Sequence, residues 1–183
     1  MQFDLSDAIL LLGRTPRILR AQLQDAPQRW THANYGPDTF SPFDVVGHLI
    51  HGERTDWLSR AQHILHHGDR APFEPFDRYA MREDSRGKSM NDLLSEFDSL
   101  RERNLEALRA LNLTAAQLDL SGLHPQLGAV TMRQLLSTWV VHDLHHLAQI
   151  NKAMAYQYRE NVGPWRAYLG ILDAARPPQE HDS

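Results

Sequence analysis

Residues 131–154, TMRQLLSTWVVHDLHHLAQINKAM, constrain the fold more than any other stretch of this chain. Thr131 and Gln134 have the spacing of a capping box, in which each side chain binds a backbone N–H group at the start of a helix. No Gly or Pro follows until Gly163 and Pro164, so the helix can continue without interruption. Side chains at steps of three and four residues form one stripe along it: Leu135, Trp139, His142, His146, Gln149 and Ala153. The stretch predicts a long helix whose core-facing side carries two histidines.

Three other segments have the apolar periodicity and the end signals of long helices. Together with the first they predict an all-α fold, a four-helix bundle with long connections and a short C-terminal helix. The predicted bounds are Asp4 or Ser6 to about Gln24 with a kink or break at Pro16, Ser41 to Gly68, and Ser89 to about Leu111.

The periodicity also predicts which side chains each helix buries. In the first helix these are Leu10, Leu11, Ile18, Leu19 and Leu23. In the second helix the inward stripe is Val45, His48, Leu49, Gly52, Thr55 and Leu58 or Ser59. The final helix, which begins at Pro164, is expected to place Trp165, Tyr168, Leu169 and Leu172 on one face.

The connections contain the glycines, prolines and polar residues that are typical of loops. Residues 25–40 and 121–131 are turn-rich, and residues 69–88 form a long connection of the kind that is often functional. We expect one domain over residues 1–176 and a disordered tail over residues 177–183.

Composition narrows the possible partners. The formal net charge is −4, and no basic stripe is present, which argues against nucleic acid and anionic membranes as partners. There are no cysteines, so disulfides, thiolate metal sites and a cysteine nucleophile are excluded. Neither a signal peptide nor a transmembrane stretch is predicted, so the expected location is the cytoplasm.

Histidine is abundant, with 11 residues among 183, so spacing alone is a poor indicator of a site. His142 and His146 are four residues apart, and their imidazoles can meet one ion on the same helix face. Hydrogen-bonded core histidines are the alternative. His63 and His67 have the same spacing, but they lie in the last turn of the second helix, where a solvated cationic patch explains them.

A third ligand is expected on the second helix. His48 lies on its inward stripe, and His51 is the rival candidate. The residues that could support the imidazoles by hydrogen bonds are Gln149, Asp44, Glu53 and Asp56. Glu53 and Asp56 are also the candidates for a catalytic general base.

The chain resembles the DinB/YfiT-like superfamily of bacterial proteins. The resemblance lies in SPFDVVGHLIHGERTDW, the PFDR segment, GAVTMRQLLSTW, VVHDLHHLAQI and YRENVGPWRAYL. It implies a four-helix bundle, a homodimer, and Zn²⁺ or Ni²⁺ bound by three histidines. Carried over by position, these ligands are His48, His142 and His146.

Relatives named in that superfamily are thiol S-transferases that use bacillithiol or mycothiol, a mycothiol-dependent maleylpyruvate isomerase and metal-dependent hydrolases. The resemblance therefore implies a divalent-metal enzyme with a small-molecule substrate, and with thiol S-transferase or hydrolase chemistry. A low-molecular-weight thiol is a candidate cosubstrate. The alternative is a non-catalytic dimeric bundle with a structural or vestigial metal site.

Overall fold

The computed structural model describes residues 2–173 and confirms the all-α four-helix bundle. Two of the four long helices are each broken into two segments. The first helix consists of α1 (Leu5–Leu12) and α2 (Thr15–Leu23), and short α3 (Gln28–Thr31) follows it. The second consists of α4 (Pro42–Thr55) and α5 (Trp57–His67), followed by short α6 (Met81–Asp84). The third is α7 (Met90–Ala110), the short α8 (Ala115–Leu118) comes next, and the fourth is α9 (Met132–Tyr156).

The capping signals that were read from the sequence are present at the helix starts. The capping boxes at the starts of α4, α7 and α9 are reciprocal, since the N-cap hydroxyl accepts a backbone N–H group and the third helical residue accepts the N-cap N–H group. The pairs are Ser41 with Asp44, Ser89 with Asp92 and Thr131 with Gln134.

The first helix breaks at Gly13 and Arg14, slightly before the predicted position at Pro16. Pro16 instead lies in the first turn of α2, where its missing N–H group costs no hydrogen bond. The burial prediction for this helix was partly wrong. Leu19 and Leu23 are buried as expected, whereas three side chains expected in the core are exposed, namely Leu10, Leu11 and Ile18.

The second helix breaks at Asp56, whose backbone angles (φ −111°, ψ −78°) interrupt the helical path. No Gly or Pro marks this break, which is why the sequence predicted one continuous helix. The break changes which side chains face inward, because Asp56 and Trp57 are buried while the predicted inward residue Thr55 is exposed.

The core consists of two apolar clusters, one towards each end of the bundle. Helix α4 packs on α7 and α9, α1 and α5 pack on α9, and α2 packs on α7. A polar layer separates the clusters, and each long helix contributes one buried residue to it. The layer contains Thr15, Glu53, Arg101 and Asp143.

Two connections differ from the sequence-based expectation. The turn-rich segment forms a hairpin of β1 (Ser121–His124) and β2 (Gly128–Thr131), which are antiparallel. Strands of four residues are too short to show a clear alternation of polar and apolar side chains. Pro72 of the long connection pairs with Leu123, and Phe73 is buried beneath the hairpin.

The predicted short C-terminal helix is present as two 3₁₀ segments, Gly163–Tyr168 and Gly170–Leu172. Of the residues expected on one face, Leu172 is buried, whereas Trp165 and Tyr168 are 71% and 83% exposed. The tail predicted over residues 177–183 lies outside the described residues. Within residues 2–173 no helix has the length and apolar character that a membrane crossing requires.

Candidate metal centre

Helices α4 and α9 bring three histidines together at one point of their interface. His142 and His146 are one turn apart on α9, and His48 reaches them from α4. His48 and His146 are buried, and His142 is partly buried. One ring nitrogen from each histidine lies within 4.8 Å of the others, an arrangement that could hold a metal ion.

Two of the three nitrogen–nitrogen distances are close to those around a tetrahedral ion. Nε2 of His142 lies 3.2 Å from Nε2 of His48 and 3.1 Å from Nε2 of His146. Ligand nitrogens about 2.0–2.1 Å from a tetrahedral ion are about 3.3–3.4 Å apart. The third pair, His48 and His146, lies within the 4.8 Å that encloses all three ligand nitrogens.

Hydrogen bonding among the rings cannot satisfy all three nitrogens. Nδ1 of His146 donates to Oε1 of Gln149 at 2.8 Å, so a neutral His146 presents a lone pair at Nε2. A proton on Nε2 of His142 can form a full hydrogen bond to only one of its two neighbours. Nδ1 of His142 is also buried and has no hydrogen-bond partner among the residues that the structure describes. A cation between the three Nε2 atoms would satisfy them together.

All three imidazoles are uncharged at neutral pH. Burial lowers the pKa of His48 to about 3, that of His142 to about 2 and that of His146 to about 4. Neighbouring imidazoles lower the pKa values of His48 and His142 further, whereas the hydrogen bond that His146 donates to Gln149 opposes the shift of His146. Metal ligation by histidine requires the neutral ring, so no proton has to be displaced at pH 7.

The other candidate histidines lie elsewhere. His51, the rival for the third position, packs on Phe76 and lies 3.9 Å from a carboxylate oxygen of Asp84. The rings of His63 and His67 are 4.8 Å apart, but Nε2 of His63 contacts the backbone carbonyl of Ala71 at 3.0 Å. Among the described residues, one group of three or more His, Asp or Glu side chains is arranged closely enough to hold a metal ion. This group is His48, His142 and His146.

Glu53, a predicted general base, lies in the buried polar layer behind the histidines. Its Oε1 accepts hydrogen bonds from Arg101 at 2.8 Å and from Trp139 at 3.1 Å, and its Oε2 accepts one from Asn104 at 3.0 Å. With these three donors, both carboxylate oxygens are already engaged. A cavity opens beside His48 and His142, and Glu53 is not among the residues that line it.

Arg101 holds this layer together, and the sequence reading did not single it out. Its guanidinium donates to both oxygens of Asp143, at 2.6 and 3.0 Å, as well as to Glu53 and to the carbonyl of Leu12. Burial acts to lower the pKa of Arg101, but the two carboxylates outweigh it and raise the pKa above its ordinary value. The sequence itself indicates that Arg101 faces the core, since it lies on the apolar stripe of α7, four residues from both Phe97 and Leu105.

A cavity of about 610 Å³ opens beside the histidines, and His48 and His142 form part of its wall. Most of the lining is apolar and aromatic, including Trp57, Phe73, Phe76, Leu127, Val130 and Leu135. The lining also includes four charged or titratable side chains besides the two histidines of the cluster, namely Asp56, Arg60, Arg78 and His124, and the uncharged polar residues Gln126, Gln134 and Thr138. Cavities of this size and lining accommodate small molecules.

Asp56, the second predicted general base, lies at this cavity. Its carboxylate is buried, with Oδ1 2.5 Å from Nε of Arg60. Burial raises the pKa of Asp56 to about 6, although Arg60 opposes the shift. The Asp56 carboxylate can therefore exchange a proton close to neutral pH.

His124, which the sequence reading also missed as a cavity residue, is held in one tautomer. Its Nδ1 accepts the backbone N–H groups of Gln126 and Leu127, both at 3.2 Å. A neutral His124 therefore carries its proton on Nε2. Burial lowers the pKa of His124, and the charge of Arg60 lowers it further, so the neutral form predominates.

Comparison with known proteins agrees with this architecture. The solved structure of YfiT from Bacillus subtilis, described as a probable metal-dependent hydrolase with an unusual four-helix bundle topology, superimposes with a TM-score of 0.72. The match covers 85% of this chain and 87% of YfiT, at 23% sequence identity. No curated protein sequence matches the chain. A family model described as the DinB superfamily matches residues 11–150, and the chain therefore belongs to the DinB superfamily.

Proposed function

We propose that this protein is a divalent-metal-dependent hydrolase that binds its ion through His48, His142 and His146. The observation that carries the proposal is the convergence of three neutral imidazole nitrogens beside a cavity of about 610 Å³. YfiT, which shares the fold, is described as a probable metal-dependent hydrolase, and that description supports the same reaction class here.

Three protein ligands leave coordination positions open, which is the pattern of a catalytic rather than a structural ion. Imidazole nitrogen suits Zn²⁺ and Ni²⁺ among the available divalent ions. When bound, such an ion supplies Lewis acidity that polarises a substrate oxygen. The three histidines fix the position of the ion, and Gln149 fixes the orientation of His146 by accepting its Nδ1 proton.

Asp56 is the better of the two predicted general bases. It lines the cavity, and its pKa of about 6 leaves it mostly ionised at pH 7 while still able to accept a proton. Glu53 has both oxygens engaged by donors of the buried layer. We therefore propose that Asp56 accepts the proton of the attacking nucleophile, and that Glu53 positions the elements that carry the site.

Thiol S-transfer is the second candidate, and the resemblance to DinB-like S-transferases supports it. In this case the cavity would hold a low-molecular-weight thiol. The two reactions make different demands on Asp56. A metal ion can deprotonate a thiol directly, so S-transfer needs no separate base, whereas attack by water benefits from one.

The test compares metal-depleted protein with protein reloaded with Zn²⁺ or Ni²⁺ on a panel of small esters and amides, and on monochlorobimane with several thiols. We expect ester or amide hydrolysis that returns with metal and is lost in His142→Ala. Metal-dependent thiol transfer without hydrolysis would favour the second candidate. Normal metal binding without either activity would contradict both and favour a structural ion.

A further inference from the structure

Arg78 brings to the cavity a positive charge that no acidic side chain of the described residues neutralises. Arg78 lines the cavity, and its guanidinium packs over the rings of Phe40 and Tyr79 at 5.5 and 5.1 Å. No carboxylate of residues 2–173 lies within ion-pair distance of Arg78. The two rings restrict the side chain, while its N–H groups remain available for a ligand.

The other charged groups of the lining cancel one another. Arg60 is paired with Asp56 at 2.5 Å and also packs over the ring of Phe73 at 5.2 Å. His48 and His142 line the cavity as proposed metal ligands, a role that requires the neutral imidazole. Among the described lining residues, Arg78 therefore supplies the net charge of the cavity, which is positive although the whole chain is acidic.

We infer that the substrate carries a carboxylate that binds Arg78, and an apolar body that packs against the aromatic wall of the cavity. This inference deepens the proposed function, because it assigns the substrate class of the same site. The guanidinium fork matches a carboxylate with two parallel hydrogen bonds. The cavity wall also includes the uncharged aromatic side chains of Trp57 and Phe76, against which an apolar group can pack.

The position of Arg78 also determines how the substrate is oriented in the cavity. Its guanidinium packs over the ring of Phe40, which lies 5.7 Å from the ring of His48, so Arg78 lies near the histidine cluster. A substrate held by its carboxylate at Arg78 can extend along the cavity and present its reacting bond to the histidines. Neutral analogues of the same shape should bind the same wall without this anchor.

The experiment uses two probes of matched shape, 4-phenylbutanoate and 4-phenylbutanamide, in calorimetric titrations. They are titrated into wild type, Arg78→Gln, Arg78→Lys and Arg82→Gln, each with and without Zn²⁺. Arg82 is the matched control, because it packs over the same Tyr79 ring at 4.8 Å but is absent from the cavity lining. Thermal melts verify that each variant is folded.

We expect wild type and Arg82→Gln to prefer the carboxylate over the amide by about tenfold or more, the effect of one charge-assisted hydrogen-bonding group. Arg78→Gln should remove this preference, and Arg78→Lys should retain part of it. The preference should persist without Zn²⁺.

Three results would overturn the inference. They are equal binding of both probes to wild type, no binding of either probe, and an unchanged preference in Arg78→Gln. A preference that exists only with Zn²⁺ would also overturn it, because the carboxylate would then bind the ion, but it would leave the proposed function intact. Arg78-dependent binding in a protein that never takes up metal would support this inference while contradicting the proposed function.

Discussion

At the scale of single residues, Asp56 combines a charge that is costly to bury with a position at the cavity. Its pKa rises from 3.8 to about 6, so the folded state holds the proton more tightly than the unfolded state does. The raised pKa adds to the free energy of unfolding. This contribution is fully present below pH 3.8 and is lost as the pH rises through about 6. Ionised Asp56 therefore destabilises the protein at pH 7, which is typical of a group kept for function.

We predict that Asp56→Asn stabilises the protein at pH 7 by on the order of 1–3 kcal/mol, and that the gain disappears near pH 4. The same variant should lose about 100-fold or more in kcat for hydrolysis. In wild type, kcat should fall below about pH 6, where Asp56 becomes protonated. Urea unfolding at both pH values and pH–rate profiles measure these effects.

Asp69→Asn, which changes an exposed aspartate just beyond α5, is the control and should alter neither stability nor rate. Equal destabilisation by Asp56→Asn at pH 4 and pH 7 would contradict the role of burial. An unchanged kcat would remove Asp56 from the reaction.

The positions of some site residues could be predicted from the sequence. The helical period places His142 and His146 on one face, and the inward stripe of the second helix favoured His48 over its rival His51. The family resemblance then indicated the same three residues. The difference between Glu53 and Asp56 could not be predicted. It depends on the break after α4 and on Arg101, a partner 48 residues away from Glu53.

At the scale of elements, the β1–β2 hairpin forms one wall of the cavity and depends on a close approach at Gly122. A Cβ atom at this position would lie 2.6 Å from the ring of Phe73 and 2.7 Å from the side chain of Ile64. Both neighbours are buried, so neither can move without repacking. Glycine is required here for space rather than for backbone conformation.

We predict that Gly122→Ala destabilises the protein by about 1–3 kcal/mol, the usual cost of overpacking a filled core. Ala129→Ser, on the exposed side of the same hairpin, should change stability by less than about 0.5 kcal/mol. Urea unfolding of both variants provides the comparison. If Gly122→Ala were as stable as wild type, the hairpin would not pack on Phe73 as described.

Element boundaries were predictable where a local signal exists. The capping boxes at Ser41, Ser89 and Thr131 fix three helix starts, because the signal lies within four residues. The break at Asp56 has no such signal. The short strands were also missed, because pairing between Ser121 and Thr131 depends on the folded hairpin rather than on either strand alone.

At the scale of the whole molecule, the polar layer divides the core and links all four long helices. Arg101 is 1% exposed and bonds directly to α4 and α9, while Thr15 of α2 bonds to Asp143 at 2.6 Å. The layer carries two carboxylates against one guanidinium, a net charge of −1. Asp143 adjoins His142 in the chain, but its carboxylate points to Arg101 and Thr15.

We predict that Arg101→Met destabilises the protein by about 3–5 kcal/mol, because Glu53 and Asp143 would remain buried without their partner. Arg103→Met, two residues further along the same helix, is exposed and should cost less than about 0.5 kcal/mol. Denaturant unfolding at pH 7 tests both. A cost of Arg101→Met similar to that of the control would contradict the structural role of this layer.

The central claim is that three histidines bind one divalent ion, and metal content tests it most directly. Tag-free wild type, His146→Ala and His63→Ala are incubated with Zn²⁺ or Ni²⁺, desalted and measured by elemental analysis. His63→Ala removes a histidine from the same spacing at a place where no third ligand approaches within residues 2–173. We predict about one equivalent of metal in wild type and in His63→Ala, and loss of the metal in His146→Ala. Wild type without metal after incubation, or equal loss in both variants, would contradict the account.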